Sequence, residues 1–216
     1  DSDLRSKITL VEGDLLKPET LTNIPKDIEI SYYLVHSMGQ SYSGFMSMEE
    51  KAADNFLKAL ESSQCRQIIY LSGIVHSNIL CRPILFRKKV EDILWQSPIP
   101  TTVLRAGIII GSGGASFEII RDLVEKLPVM VAPKWLKTRS QPIALRNVLE
   151  YLEGVVLQEA SFDKVFDIGG PDVLNYKDML LQYAEVRGLR RWIIEVPVLT
   201  PRLSSLWLYF VTNTSF

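Results

Sequence analysis

The chain has 216 residues, 47% of them hydrophobic and 23% charged, and a formal net charge of −1. This is the composition of an ordinary globular protein that can bury a sizeable core, and it argues against nucleic acid or an anionic membrane surface as a partner. The two cysteines and two histidines have neither metal-binding nor disulfide spacing, which is typical of a reducing interior. We find no signal peptide at the start, and no apolar run approaches the length of roughly 20 residues that a membrane span needs. We therefore expect a cytoplasmic protein.

Apolar, β-branched stretches alternate with amphipathic stretches along the chain. Periodicity predicts strands at residues 8–12, 28–35, 67–71, 101–110, 165–168 and 192–196. It predicts helices at residues 47–62, 84–95, 116–127, 146–158 and 175–187. Strands that alternate with helices of about a dozen residues indicate βαβ units, so we expect an α/β fold with a mostly parallel sheet.

Several helix ends carry capping signals. Ser47 with Glu50 forms a capping box, Ser116 is a candidate N-cap, and Asn175 caps the last helix with Asp178 three residues on. In the helix at 84–95 the apolar positions predict one inward face, formed by Val90, Ile93 and Leu94. The opposite, solvated side is predicted to carry Arg87, Lys88, Lys89, Glu91 and Asp92.

The glycine run after the strand at 101–110 marks a candidate ligand site. Gly111, Gly113 and Gly114 separate that strand from a helix, and ligands of open α/β sheets bind at such strand ends. The run contains the first two glycines of a dinucleotide fingerprint, but Ser116 stands at the third position. No acidic residue ends a second strand about 20 residues on, as the fingerprint requires. A loop that lines a substrate pocket and a plain tight turn both remain open.

Six short motifs, in order, carry a resemblance to a known family. They are VEGDLL (11–16), YYLVHSMG (32–39), IYLSG (69–73), TVLRAGIIIGSG (102–113), QPIALRNV (141–148) and FDIGGPD (166–172). Together they resemble the short-chain dehydrogenase/reductase superfamily, in its atypical, NmrA-like branch of NAD(P)-binding proteins. The resemblance implies one Rossmann-like, doubly wound domain over residues 1–216, with substrate-side elements at 128–143 and 171–216.

In members of this family one more βαβ unit with a GxxGxxG loop precedes the matching pattern, and a further domain often follows it. We therefore expect the sequence to be cut at both ends. The implied cofactor is NAD(P), with the preference between NAD and NADP open. The implied partner is a small-molecule substrate, and a homo-oligomer is compatible with the resemblance.

The resemblance also implies roles for individual positions. Asp14 and Leu15 match the contact on the adenine side, although an aspartate after a strand also commonly caps a turn. The remaining cofactor positions are Leu34, Val35, His36, Ser72, Lys88, Ala106 and Gly107. Ser72 also matches the family's catalytic serine, which donates a hydrogen bond to the substrate. The alternative is that Ser72 is a serine in the turn at the strand end. Lys88 matches the family position that contacts the ribose of the cofactor. The alternative is an ordinary lysine on the solvent-exposed side of a helix.

One catalytic position departs from the family. The superfamily uses a Tyr-x-x-x-Lys pair whose phenol protonates a carbonyl oxygen. Ile84 stands four residues before Lys88, and Leu85 stands four before Lys89. Neither side chain can transfer a proton. His36 is a candidate substitute acid, because imidazole titrates near neutral pH, or a hydrogen-bonded histidine at a strand end.

Other polar residues have ordinary interpretations beside functional ones. Arg105 and Arg139 could bind an anionic substrate group, and a salt bridge explains each as well. Tyr70 and Tyr183 are expected to pack rather than react, and no metal site is expected.

Three functions remain open. The first is an NAD(P)H-dependent oxidoreductase whose substrate, for instance a quinone, needs little proton donation and lies between the carboxyl edge of the sheet and residues 111–141. The second is a non-catalytic, NmrA-like sensor of the NAD(P) redox state, which the missing tyrosine favours. The third, isomerase or epimerase chemistry, is disfavoured because it also relies on the phenol.

Overall fold

The computed structural model describes residues 6–35, 42–74 and 82–196. His36 and His76 lie outside these ranges, as does the apolar run at 206–211. The described strands are β1 (Ile30–Tyr33), β2 (Gln67–Gly73), β3 (Thr101–Ala106), β4 (Ile109–Ile110), β5 (Val129–Pro133), β6 (Arg139–Ser140), β7 (Ile143–Ala144), β8 (Lys164–Ile168), β9 (Leu174–Asn175) and β10 (Trp192–Val196). The described α-helices are α1 (Tyr42–Leu60), α2 (Arg82–Leu94), α3 (Ala115–Lys126), α4 (Leu145–Gly154) and α5 (Tyr176–Val186).

The chain divides into two compact units, and the first comprises residues 1–105 and 152–166. It is built around a four-stranded sheet with the order β1-β2-β3-β8. β1 and β2 run parallel, with Tyr33 opposite Tyr70. Helices α1 and α2 supply apolar side chains to one face of this sheet, because their inward positions recur at helical spacing. The buried cluster so formed is Tyr33, Ala53, Tyr70, Val90, Ile93, Leu94 and Val103.

The second unit comprises residues 106–151 and 167–216. In it β4 pairs with β7 and β5 with β10 in parallel, whereas β6 and β9 are antiparallel. Helices α3 and α5 close its core, whose buried members are Ile108, Ile120, Leu123, Val124, Met130, Leu136, Met179, Leu180 and Ala184. The predicted α/β architecture with a mostly parallel, Rossmann-like sheet is confirmed. Both predicted substrate-side segments fall in the second unit, and their role stays a prediction, as does the single-domain organisation.

The predicted strand at residues 8–12 is wrong. These residues have no strand assignment, and Ile8, Leu10 and Val11 are exposed, Leu10 to 92%. A β-branched, alternating sequence makes an extended chain favourable, but a strand also needs a neighbouring strand for its backbone hydrogen bonds. Residues 8–12 pair with no strand in the described part of the chain.

The predicted strand at 101–110 is split in two. β3 ends at Ala106, and after a break at Gly107 the chain resumes as β4, which pairs with β7. The carbonyl of Ile108 accepts a hydrogen bond from the backbone N–H of Ile143 at 2.9 Å. The strand therefore changes hydrogen-bonding partner within one apolar run, and periodicity does not record such a change.

Two predicted helix starts are corrected. Helix α1 begins at Tyr42, five residues before the predicted cap Ser47. Helix α3 has Gly114 at its N-cap, so Ser116 lies inside the first turn. For Ser116 the difference is two residues, within the usual uncertainty of helix ends, whereas Ser47 lies in the second turn of α1, so its capping-box pattern with Glu50 does not mark the start of the helix.

The capping box of α5 is confirmed. The side chain of Asn175 accepts a hydrogen bond from the backbone N–H of Asp178 at 2.9 Å, and the Asp178 carboxylate accepts from the backbone N–H of Asn175. Two otherwise unpaired donors at the helix start are thereby satisfied.

Among the described helices, none combines the length and the apolar character needed to cross a membrane.

Candidate functional site

The carboxyl ends of β1 and β2 form the candidate edge. Because the two strands are parallel and Tyr33 lies opposite Tyr70, the residues that follow each strand lie at the same edge of the sheet. Leu34 and Val35 follow β1 and are 56% and 46% exposed. An exposed apolar side chain at a strand end offers a surface against which a flat ring can pack.

Ser72, near the end of β2, is bound to a buried carboxylate. Its hydroxyl donates to Glu91 Oε1 at 3.0 Å, and Ser72 is 8% exposed. Glu91 is fully buried on α2 and also accepts from Arg105 of β3, with Nε at 3.0 Å and Nη2 at 2.5 Å. A carboxylate held in this way only accepts hydrogen bonds, so the Ser72 proton points toward Glu91.

Sequence periodicity placed Glu91 on the solvated side of the helix, and the structure corrects this. The side chain has no exposed surface because it pairs with Arg105. The salt-bridge interpretation of Arg105 is confirmed. The available signal was an arginine inside an otherwise apolar strand, since a buried cation needs a carboxylate.

Arg87, one turn before Glu91 on α2, lies against Gly73 at the end of β2. A β-carbon built on Gly73 would stand 2.7 Å from the Arg87 Cζ, so only glycine leaves room for the guanidinium in this position. Arg87 is half-buried, and within the described residues it makes no hydrogen bond or ion pair. Sequence analysis did not single out this residue as functional.

Two tyrosines lie beneath this edge. Burial is the main reason that the pKa of Tyr70 is raised to about 12, and burial also raises the pKa of Tyr33. The Tyr33 ring packs edge-on against Tyr70 and Phe56, and its hydroxyl has no partner among the described residues. Neither phenol is suited to donate a proton near neutral pH, in agreement with the expectation that Tyr70 packs.

The high pKa of Tyr70 predicts a loss of stability in alkali. In the unfolded chain the Tyr70 phenol has its ordinary pKa of 10.0, whereas in the folded chain its pKa is about 12. The stabilisation is therefore complete below pH 10 and is lost as the pH rises through that interval. Urea unfolding across this range should show a steeper decline for the wild type than for Tyr70→Phe. Equal slopes would contradict the assignment.

Asp14, Leu15 and Lys88 have local roles in the structure. Asp14 Oδ1 accepts from the backbone N–H of Leu16 at 2.9 Å, so it caps a turn. Leu15 packs against the core of the first unit, and its carbonyl accepts from Asn55 Nδ2 at 2.7 Å. Lys88 is half exposed and pairs with Asp92 at 3.3 Å along the helix. A cofactor role for these three residues stays a prediction.

The glycine run forms a tight turn. The backbone N–H of Gly114 donates to the carbonyl of Gly111 at 3.1 Å, and Gly113 has a φ of +82°. Ala106, at the end of β3, is buried, and Gly107 is half-buried in the break that follows. His36 lies outside the described residues. Within the described ranges no three His, Cys, Asp or Glu side chains are grouped to hold a metal ion.

Comparison with known proteins shows the fold. No family model and no curated protein sequence matches the chain. The solved structure of RMD from Pseudomonas aeruginosa, complexed with NADPH, matches with a TM-score of 0.71 and 14% identity, covering 98% of this chain and 88% of that one. Triphenylmethane reductase from Citrobacter sp. matches at 0.75 and 14% identity, with coverage of 97% and 69%.

A third match is the UDP-glucuronic acid 4-epimerase from Bacillus cereus in complex with NAD, with a TM-score of 0.71, 14% identity and coverage of 99% and 78%. At this level of identity, the matches show a shared fold.

Proposed function

We propose that this chain belongs to an NAD(P)-binding, NmrA-like oxidoreductase that transfers a hydride to a small acceptor without a catalytic tyrosine. The observation that carries the proposal is the exposed edge after β1 and β2, on a fold that solved structures containing NADPH or NAD also have. In open α/β sheets, ligands bind beyond the carboxyl ends of the strands. A cytoplasmic location is part of the same proposal.

The side chains present at this edge fit a dinucleotide. Leu34 and Val35 expose apolar surface at the end of β1, suited to a nucleoside or nicotinamide ring. Ser72 directs its proton at Glu91 and its hydroxyl also lies beside that of Tyr70, so toward a ligand N–H or O–H it can act only as an acceptor, through a remaining lone pair. The Glu91–Arg105 pair fixes this orientation because three hydrogen bonds converge on one buried carboxylate.

The missing phenol limits the choice of acceptor. The bound nicotinamide would supply a hydride. Ile84 of α2 stands at the sequence position of the family's tyrosine, and the Ser72 proton is directed at Glu91. A quinone suits such a site, because the hydroquinone anion formed by hydride addition takes its proton from water. The overall reaction converts NAD(P)H, a proton and the quinone to NAD(P)+ and the hydroquinone.

A non-catalytic redox sensor is the second candidate, and the Ser72–Glu91 hydrogen bond favours it. A serine that must protonate or polarise a carbonyl has to give its proton to the substrate, and here Glu91 holds it. A sensor needs only differential binding of the reduced and oxidised cofactor.

The test uses full-length protein. Calorimetric titration with NADPH, NADP+, NADH and NAD+ measures binding, and loss of reduced-nicotinamide absorbance with a naphthoquinone measures turnover. Binding with turnover supports the oxidoreductase. Binding without turnover, across quinones and aldehydes, supports the sensor. Failure to bind any of the four nucleotides would refute both.

Three variants separate the proposed roles. Ser72→Ala should weaken ligand binding while leaving the Glu91–Arg105 pair in place. His36→Ala tests the substitute acid: turnover that survives it assigns the final proton to water. Lys88→Ala tests the predicted ribose contact, and an unchanged NADPH affinity would contradict that role.

A further inference from the structure

Two carboxylates, Glu91 and Glu49, and two guanidinium groups, Arg105 and Arg87, lie near the end of β2, and they differ in how they are paired. Glu91 and Arg105 neutralise each other through two hydrogen bonds. Glu49 of α1 is the other carboxylate that acts electrostatically on Tyr70. Arg87 acts on the same tyrosine, yet it has no ion pair or hydrogen bond within the described residues. Among residues 6–35, 42–74 and 82–196, the Arg87 guanidinium therefore has no carboxylate in direct contact.

The position of Arg87 makes this unusual. Charged side chains that are partly buried are normally paired, because an unpaired charge loses hydration without compensation. Arg87 is nevertheless half-buried, with its guanidinium against the backbone of Gly73. Gly73 directly follows Ser72, so this cation lies at the candidate edge.

Helix geometry relates Arg87 to the missing catalytic position. Residues three apart lie on the same face of an α-helix. Arg87 is three residues after Ile84 on α2. The helix face that would carry the phenol in the family pattern therefore carries a guanidinium one turn further along.

We propose that Arg87 binds an anionic group of the ligand at the carboxyl end of β2, as a specificity-determining residue. The group is a carboxylate, sulfonate or phosphate, which the planar guanidinium can bind through two hydrogen bonds. This inference rests on the proposed function for the location of the ligand. The anion can come from the acceptor substrate or from the phosphate that distinguishes NADPH from NADH, and the experiment separates these sources.

The probe pair is naphthoquinone and naphthoquinone sulfonate, titrated by calorimetry into full-length protein without nucleotide. The wild type should bind the sulfonate about tenfold more tightly than the neutral quinone, the factor given by one charge-assisted hydrogen bond. Arg87→Gln should abolish this preference. Lys89→Gln removes one positive charge from an exposed position on the same helix and should keep it.

Gly73→Ala is a second variant that changes no charge. Its methyl group would occupy the space of the guanidinium, so it should displace Arg87 and reduce the sulfonate preference as Arg87→Gln does. Circular dichroism melts establish that each variant is folded. If Lys89→Gln has the same effect as Arg87→Gln, or if the wild type shows no preference in either arm, the proposal is overturned.

A cofactor arm identifies the source of the anion. If Arg87→Gln weakens NADPH binding about tenfold but leaves NADH unchanged, the anion is the cofactor phosphate. If both nucleotides bind as before and only the sulfonate preference is lost, the anion belongs to the substrate. Nucleotide binding without any charge preference would refute the Arg87 site alone. A sulfonate preference without nucleotide binding would refute the proposed function alone.

Discussion

Replacing Glu91 with glutamine is expected to lower the free energy of unfolding by roughly 3–5 kcal/mol, the usual effect of breaking a buried ion pair. The carboxylate is fully buried, whereas the Arg105 side chain is 19% exposed, so Arg105 keeps its charge in a poorly hydrated site once the carboxylate is gone. The hydroxyl of Ser72 would face an amide instead of a carboxylate. Urea unfolding followed by circular dichroism measures the change.

A double variant separates the effect of the unpaired charge from the effect of changed packing. Glu91→Leu with Arg105→Met removes both partners and should recover most of the lost stability, because an apolar pair of similar volume often replaces a buried ion pair without loss. Ser72→Ala, which leaves the pair in place, should reduce stability by only about 1 kcal/mol. A double variant as unstable as Glu91→Gln would show that packing, not the unpaired charge, dominates.

Gln67→Met is expected to reduce stability by roughly 3 kcal/mol, because it removes three hydrogen bonds from a fully buried amide. Nε2 donates to Thr102 Oγ1 and to the Val155 carbonyl, each at 2.9 Å, and Oε1 accepts from the backbone N–H of Leu157 at 2.6 Å. Methionine has a similar shape but satisfies none of these groups. Leu157 has a φ of +52°, so the amide also holds a strained turn.

Gln64→Met is the matched control. Gln64 is exposed, three residues before Gln67, and the same substitution there should change stability by less than about 0.5 kcal/mol. Hydrogen exchange of the Leu157 amide gives a local measurement, since this donor should exchange faster in Gln67→Met. Equal stability of the two variants would mean that the loop at 155–161 does not depend on the buried amide.

Periodicity predicted the elements whose formation depends on the local sequence. β2, β10 and the Asn175 cap follow from apolar runs and local capping chemistry, which act over a few residues. The strand at 8–12 failed because a ladder depends on a distant partner that the local sequence does not specify. The split after Ala106 failed for the same reason, since β4 pairs with β7, more than 30 residues later.

The candidate edge was predicted only in part. Ser72, Leu34 and Val35 were expected at strand ends, and the parallel pairing of β1 and β2 brings those ends to one edge. Glu91 and Arg87 were both placed on the solvated face of their helix, because hydropathy scores any charge as exposed. Only the position of the neighbouring strands shows that Glu91 meets Arg105 and that Arg87 lies against Gly73.

Both compact units are discontinuous along the chain, and this bears on how the protein is made. Residues 152–166, which include most of β8, belong to the first unit but are translated after the start of the second. During synthesis on the ribosome, the four-stranded sheet cannot be completed until its edge strand β8 has been translated, after residues 106–151. Domains usually fold in the order of their synthesis, but here part of the second unit is made before the first unit is complete. A stop codon near residue 150 would leave β3 without β8 as its neighbour. Because each unit consists of two separate segments of the chain, neither unit is encoded by one continuous stretch of the gene.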